Sequence, residues 1–288
     1  MAEKVRVGLL QMSCSVHPEK YWVRTRALIQ AAADSGCHVV CLPEQFRSRY
    51  FCQEEAAGRV ALAETIPGPT PEVLGSLAKE LELVIIASIF EKRAAGIYHN
   101  TAVILAQDGS QVGKYRKMHI PDDPHYYEKF YFTPGDLGFQ SHSNSRGHFG
   151  VLVCWEQWFP EAARLTTLAG AQILFYPTAI GWIPGQSEQT NLAQHSAWET
   201  IQRSHAVANG GFVAAVNRVG QEDNLQFWGQ SFVCDPFGRI ITRASASEEE
   251  ILIADLDLAD VEEIRREWCF LRDRRVDAYG GLTSLYLD

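Results

Sequence analysis

Apolar residues in this chain gather in short runs separated by polar and turn-forming segments. Runs at 5–11, 38–42, 83–90, 101–106, 151–154, 173–176, 212–217, 230–234 and 251–255 have strand length and β-branched content. Between several of them, 19–35, 71–82, 161–169 and 191–209 carry helical patterns. Strands alternating with helices predict an α/β layered fold. Two stretches read differently: 98–106 and 111–115 flank Asp108-Gly109, and 232–235 and 239–242 flank Phe237-Gly238. Each pair predicts an antiparallel hairpin, so the sheets should be mixed.

Composition bounds the function classes. The chain has 288 residues, 46% hydrophobic and 21% charged, the make-up of a folded protein with ample core. No Gly/Ser- or Pro-rich linker or low-complexity segment interrupts it, so a single domain over 1–288 is expected. A formal charge of −9 argues against a nucleic-acid surface, which needs clustered Lys and Arg, and mildly favours a cationic small substrate by steering. Seven cysteines, an odd number without paired spacing, point to a reducing compartment. The start does not resemble a signal peptide and no apolar stretch approaches about 18 residues, so a cytoplasmic, non-membrane protein is expected.

Candidate chemistry sits where apolar runs stop. In Gly150-Val151-Leu152-Val153-Cys154-Trp155-Glu156 a thiol follows a strand-like run, and Phe159-Pro160-Glu161 opens a helix with Pro and acid near its start. Such a corner exposes a side chain above the end of a sheet, beside backbone N–H groups and a positive helix end that favour a thiolate and an oxyanion. A lone cysteine after an apolar run is more often a buried structural residue. Two further segments tip that balance. Val39-Val40-Cys41-Leu42-Pro43-Glu44 sets a carboxylate directly after another run, and Gly113-Lys114-Tyr115-Arg116-Lys117-Met118-His119 sets a lysine in a loop after 101–105.

In this order the segments resemble the nitrilase superfamily, the carbon-nitrogen hydrolases, whose triad is Glu, Lys and Cys. The resemblance covers nearly the whole chain: Val5-Arg6-Val7-Gly8-Leu9-Leu10-Gln11-Met12 is similar to the first strand, and Leu42-Pro43-Glu44, Tyr115-Arg116-Lys117-Met118-His119 and Cys154-Trp155-Glu156 to the three catalytic motifs. Tyr127-Glu128-Lys129-Phe130-Tyr131-Phe132-Thr133-Pro134-Gly135 and Asn217-Arg218-Val219-Gly220 match as well. Within the superfamily, Tyr50-Phe51-Cys52-Gln53, Cys154-Trp155-Glu156-Gln157-Trp158-Phe159-Pro160-Glu161 and Tyr176-Pro177-Thr178-Ala179-Ile180-Gly181 most resemble N-carbamoylputrescine amidohydrolases.

The resemblance implies a four-layer α-β-β-α sandwich, with subunits that pair into a dimer or higher homo-oligomer and a tail over 268–288 that fits an arm on a partner. It implies Cys154 as nucleophile, Glu44 as base, Lys117 as oxyanion stabiliser with a backbone N–H near Trp155, and Glu128 as a second glutamate beside the lysine. Tyr50, Trp155, Trp182 and Glu188 are the candidate substrate-binding residues, Glu188 as partner for a cationic far end of the substrate and Trp182 as an aromatic wall. As a residue on its own, Glu188 equally reads as a favourable acid at a helix start. The implied substrate is a small ureido or amide compound, N-carbamoylputrescine foremost, with carbamoyl-β-alanine or an ω-amide as alternatives, for which Arg47 or Arg49 would meet a carboxylate. A catalytically silent interaction module is the rival from another class.

Other candidates are weaker. His119-Ile120-Pro121-Asp122-Asp123-Pro124-His125 reads as a turn-rich loop rather than a metal site, having two prolines and no convincing third ligand. The HExxH spacing, the Gly-x-Gly-x-x-Gly pattern and the P-loop are all missing, so neither metal nor nucleotide cofactor is implied.

Overall fold

The computed structural model describes residues 4–14 and 18–287. Its first half runs β1 (Lys4–Gln11), α1 (Pro18–Asp34), β2 (Val39–Cys41), α2 (Pro69–Leu81), β3 (Val84–Ala94), β4 (Ile97–Leu105) and β5 (Gln111–Arg116). The second half runs β6 (Ser141–Asn144), β7 (Gly147–Val151), α3 (Pro160–Leu168), β8 (Ile173–Pro177), β9 (Gly181–Trp182), α4 (Glu188–Asn209), β10 (Phe212–Val216), β11 (Val219–Glu222), β12 (Leu225–Trp228), β13 (Phe232–Cys234), β14 (Ile240–Arg243), β15 (Glu250–Asp257) and α5 (Ala259–Glu267). Two six-stranded sheets result, in the orders β15-β1-β2-β3-β4-β5 and β14-β13-β10-β8-β7-β6, with a small third sheet β11-β12-β9.

Both large sheets are mixed, because helical crossovers join parallel neighbours while short turns join antiparallel ones. β1, β2 and β3 lie parallel, as do β7, β8 and β10. The β3–β4–β5 meander and the β13–β14 hairpin are antiparallel. β15 returns from the far end of the chain to pair antiparallel with β1 over its whole length, from Lys4 opposite Asp257 to Gln11 opposite Glu250.

The period of two along each strand divides the core into layers. Val5, Val7 and Leu9 of β1, Val39 and Cys41 of β2, and Val84 and Ile86 of β3 share one cluster with Phe149, Val151, Ile173 and Phe175 of the facing sheet. The alternate residues, Leu10, Val40, Ile85 and Ala87, pack instead against Tyr21, Ile29 and Ala32 of α1 and Leu74, Leu77 and Ala78 of α2. Ala162 and Ala163 of α3 and Trp198 and Ala206 of α4 join the core on the second sheet. This is an α-β-β-α sandwich. Each fully buried Val, Ile or Leu contributes about 1.5–3 kcal/mol to it.

Two elements depart from the sequence reading, the first of them at the site. The strand read over 151–154 stops at Val151, and Cys154–Trp158 is a 3₁₀ turn with α3 starting only at Pro160. A short turn, not an α-helix, therefore stands at the thiol. The helix α5 went unread because only Val261 and Ile264 of its nine residues are buried apolar side chains. Beyond it the chain continues in two 3₁₀ turns, Val276–Ala278 and Gly280–Thr283, with Trp268, Phe270, Leu282 and Leu285 exposed. Asp288, the last residue of the arm read from the sequence, lies outside the described residues, as do 1–3 and 15–17.

Candidate active site

Glu44 follows β2 where the chain leaves the sheet, and its neighbour Gln45 turns the backbone with φ +49°. Arg218 holds that corner. Its guanidinium is fully buried and donates to the carbonyl of Glu44 at 3.0 and 2.8 Å, to that of Gln45 at 2.6 Å and to that of Ser48 at 3.0 Å. Glu222 balances its charge at 2.9 Å. The Gln45 N–H donates to Ser88 Oγ at 3.2 Å, and Ser88 donates to Asn100 Oδ1 at 2.8 Å. Asn100 Nδ2 then donates to Glu44 Oε1 at 2.7 Å, so the carboxylate is oriented from both backbone and side chain.

Lys117 comes just past β5, with its N–H donating to Asn100 O at 2.9 Å and its own carbonyl accepting from Gly135 N–H at 2.8 Å. Glycine is required at 135: a Cβ there would lie 2.0 Å from Arg116 O. Lys117 Nζ donates to Glu44 Oε1 at 2.8 Å and to Glu128 Oε2 at 2.7 Å. Tyr50 donates to the other oxygen of Glu128 at 2.7 Å. Glu44, Lys117 and Glu128 are each fully buried. Burial alone would lower the lysine pKa, but the Glu128 and Glu44 carboxylates outweigh it and hold the ammonium charged well above its usual range. Burial pushes Glu128 up, and Lys117 pulls it part of the way back. Among the described residues Glu44 Oε2 has no hydrogen-bond partner, so one lone-pair face of this buried carboxylate is left open.

Cys154 sits at φ +46°, a left-handed conformation rare for a residue with a Cβ and typical of a strained corner that presents a nucleophile. Its thiol makes one weak contact, to Ala179 O at 3.8 Å. Burial and then the Glu44 carboxylate raise its pKa well above the ordinary thiol value, with Lys117 opposing. At neutral pH the resting group is therefore a thiol with a carboxylate in electrostatic reach.

The thiol opens on a cavity of about 520 Å³. Trp155, Trp158, Tyr126 and Trp228 form aromatic walls, Ala179, Ile180 and Ile183 add aliphatic surface, and Asp123, Gln186 and Gln194 are the longer polar side chains of the lining. Of the substrate-binding candidates, Trp155 lines this cavity. Tyr50 lies behind it, hydrogen-bonded to Glu128 and with its ring 5.6 Å from Tyr126. Trp182 backs the wall, 5.7 Å from Trp228 and with Nε1 donating to Asn191 O at 3.3 Å. Glu188 is exposed in the first turn of α4 and does not line the cavity, because Ser187 caps the helix there and starts it facing solvent.

Other residues of the site were not singled out from the sequence. Glu156 is fully buried and accepts from Tyr115 Oη at 2.7 Å, Met118 N–H at 2.7 Å, His119 N–H at 3.0 Å and the His119 ring at 2.5 Å. It thereby fixes the loop that carries Lys117. Asn217 accepts from Ile180 N–H and donates to Ile180 O, tying down the loop after β8 that supplies Ala179. Both stand inside the quoted motifs, so their presence was visible while their roles as holders of backbone were not.

The carbon-nitrogen hydrolase family model matches residues 6–266. The chain belongs to the carbon-nitrogen hydrolase family. As a carbon-nitrogen hydrolase it is an enzyme acting on non-peptide C–N bonds. It is 40% identical to an N-carbamoylputrescine amidase of Oryza sativa subsp. japonica, covering 98% of this chain and 95% of the relative, and 36% identical to a citrullinase of Francisella tularensis, covering 98% and 99%. A solved structure of a carbon-nitrogen hydrolase from Helicobacter pylori G27 superposes with TM-score 0.96 at 46% identity over 99% of this chain and 100% of that one.

Proposed function

We propose that this hydrolase converts N-carbamoylputrescine and water to putrescine, carbon dioxide and ammonia, with Cys154 as nucleophile, Glu44 as general base, and Lys117 as oxyanion stabiliser. The observation that carries the reading is the buried Lys117 Nζ bridging Glu44 and Glu128 beside a thiol that opens on a cavity. The identity to N-carbamoylputrescine amidases across nearly the whole chain supports the substrate.

The steps follow from charge. The thiol is protonated at rest, so Glu44 takes its proton as Sγ attacks the carbamoyl carbon. The developing oxyanion meets Lys117 and the Trp155 N–H, one of the first N–H groups of the 3₁₀ turn and so without a partner inside it. Collapse expels ammonia, which carries away the proton held by Glu44. Glu44 then takes a proton from water as its oxygen attacks the thiocarbamate and passes it to the departing Sγ, and the released carbamate loses carbon dioxide to leave the amine. Glu128 and Tyr50 keep Lys117 in place. These steps use side chains, backbone and water.

We further propose a single domain with residues 268–288 as an arm on a second copy, since apolar side chains there, Leu285 among them, are exposed. The seven free cysteines support a cytoplasmic location, and no helix among the described residues is long and apolar enough to cross a membrane. Ammonia release from N-carbamoylputrescine, N-carbamoyl-β-alanine, citrulline, glutamine and simple nitriles tests the reading. N-carbamoylputrescine should lead by at least about tenfold in kcat/KM, the size of one lost ion pair. Turnover of none of them would favour the silent interaction module.

A further inference from the structure

The cavity at Cys154 has an uneven charge. Its lining residues include one carboxylate, Asp123, and no lysine or arginine. The basic residues that would meet a substrate carboxylate, Arg47 and Arg49, line a different cavity and are taken up by Glu64 at 2.6 Å and Asp223 at 2.5 Å. An anionic far end would thus enter the Cys154 cavity without a counter-charge, whereas a cationic one would meet Asp123.

Asp123 is held in place by its backbone. Tyr126 N–H donates to Asp123 O at 2.8 Å, closing a turn, and Tyr126 Oη is in turn fixed to the Gly181 backbone at 3.0 and 3.2 Å. The side chain of Asp123 takes no part in this turn and is exposed, so it is open to a ligand. A second acceptor lies in the same lining: Gln186 Oε1 is buried and has no hydrogen-bond partner among the described residues. A buried carbonyl oxygen left unpaired costs stability until something donates to it. An ammonium carries three donors on one point charge, which suits a carboxylate together with a neutral acceptor. The aromatic walls of the same cavity match a methylene chain.

Building on the proposed hydrolysis of N-carbamoylputrescine, we infer that Asp123, with Oε1 of Gln186, forms the subsite for the distal ammonium and sets the preference for cationic over anionic ureido substrates. Glu188, exposed on α4, has no part in it. Because Asp123 meets solvent, its pull is screened, and its effect falls on KM rather than on the chemical step.

The test uses the full-length enzyme with N-carbamoylputrescine and N-carbamoyl-4-aminobutyrate, which replaces the ammonium by a carboxylate. Asp123→Asn should raise KM for N-carbamoylputrescine about threefold to fivefold with kcat within twofold, by the loss of one screened ion pair. Asp123→Glu should restore most of that loss, Asp122→Asn and Glu188→Gln should change neither parameter, and Asp123→Lys should shift the kcat/KM ratio of the two substrates toward the carboxylate. An Asp123→Asn enzyme with wild-type KM, or one whose kcat falls while KM holds, overturns the subsite and leaves the hydrolysis standing. If the wild-type enzyme releases no ammonia from N-carbamoylputrescine, the underlying reading falls and the subsite with it.

Discussion

The corners that follow β2 and β7 are alike in backbone and opposite in how they are held. Each leaves a buried strand of one of the facing sheets and turns through a residue of positive φ, Gln45 at +49° and Cys154 at +46°. At the first, Arg218 grips three carbonyls, Asn100 and Lys117 fix one carboxylate oxygen, and no part of Glu44 is exposed. At the second, the thiol has one weak contact at 3.8 Å. The difference separates preorganisation from reactivity. Groups that stabilise charge must not move when charge appears, whereas the atom that forms a bond must be free to leave its ground-state contact.

The comparison breaks most completely at the loose corner. Cys154→Ala and Cys154→Ser should each cost at least about a thousandfold in kcat, by analogy with deletion of a nucleophile, with thermal unfolding nearly unchanged because little packing is lost. Unfolding lowered together with activity would assign Cys154 to the core instead. Lys117→Ala should cost nearly as much activity and also stability, since it leaves Glu44 and Glu128 buried without a counter-charge, a loss of about 3–5 kcal/mol readable in denaturant midpoints. Lys117→Arg should not rescue turnover, because a planar fork cannot take the place of a point charge between two carboxylates. Glu44→Gln, which keeps shape and removes the base, should lose most activity across neutral pH while the protein still unfolds cooperatively.

Weaker effects are expected where the corners are only supported. Glu156→Gln loosens the Lys117 loop without touching substrate, so kcat should fall roughly tenfold while KM holds, alongside about 1–3 kcal/mol of stability from unpaired donors. The smallest effect is in pH. Burial pushes Glu91 up, but hydrogen bonds from Arg116 and Thr101 overcome it and hold its pKa at about 2, below the ordinary 4.5. A depressed carboxylate adds stability that is present above its unfolded pKa and lost as pH falls through the folded one, so this contribution should fade between pH 4.5 and about 2. Glu91→Gln should flatten acid unfolding across that window, and an unchanged acid midpoint would remove Glu91 from the account.

Glu44 and Cys154 were singled out because each follows an apolar run, and Lys117 because its segment, in order with theirs, resembles the lysine motif of the family. The sandwich was legible from the resemblance, and the mixed sheets from the alternation of helices with hairpin turns. What escaped shares a physical cause. Arg218 and Glu156 act on backbone atoms of segments that meet only in three dimensions, and Arg218 lies 174 residues from the carbonyl of Glu44 it binds. Nothing in local pattern reports such a partner. Glu188, read as the partner for a cationic far end, stands exposed at the start of α4 outside the cavity lining, whereas Asp123, read only as part of a turn-rich loop, stands in it, because the path of the backbone decides which acid faces the cavity. β9, β11 and β12, of two to four residues each, are too short for a period of two to declare itself.

The protonated resting state of Cys154 has a consequence for chemistry other than turnover. Peroxide, alkylating reagents and disulfides react with thiolates far faster than with thiols. On the proposed mechanism Cys154, its pKa raised by burial, is deprotonated only as a carbonyl arrives and is a poor target for all of them between catalytic cycles. Selectivity against oxidants is therefore built into the acid–base arrangement itself. The enzyme should lose activity to peroxide slowly at rest, and more slowly still with substrate present, because substrate fills the cavity and acylates the thiol.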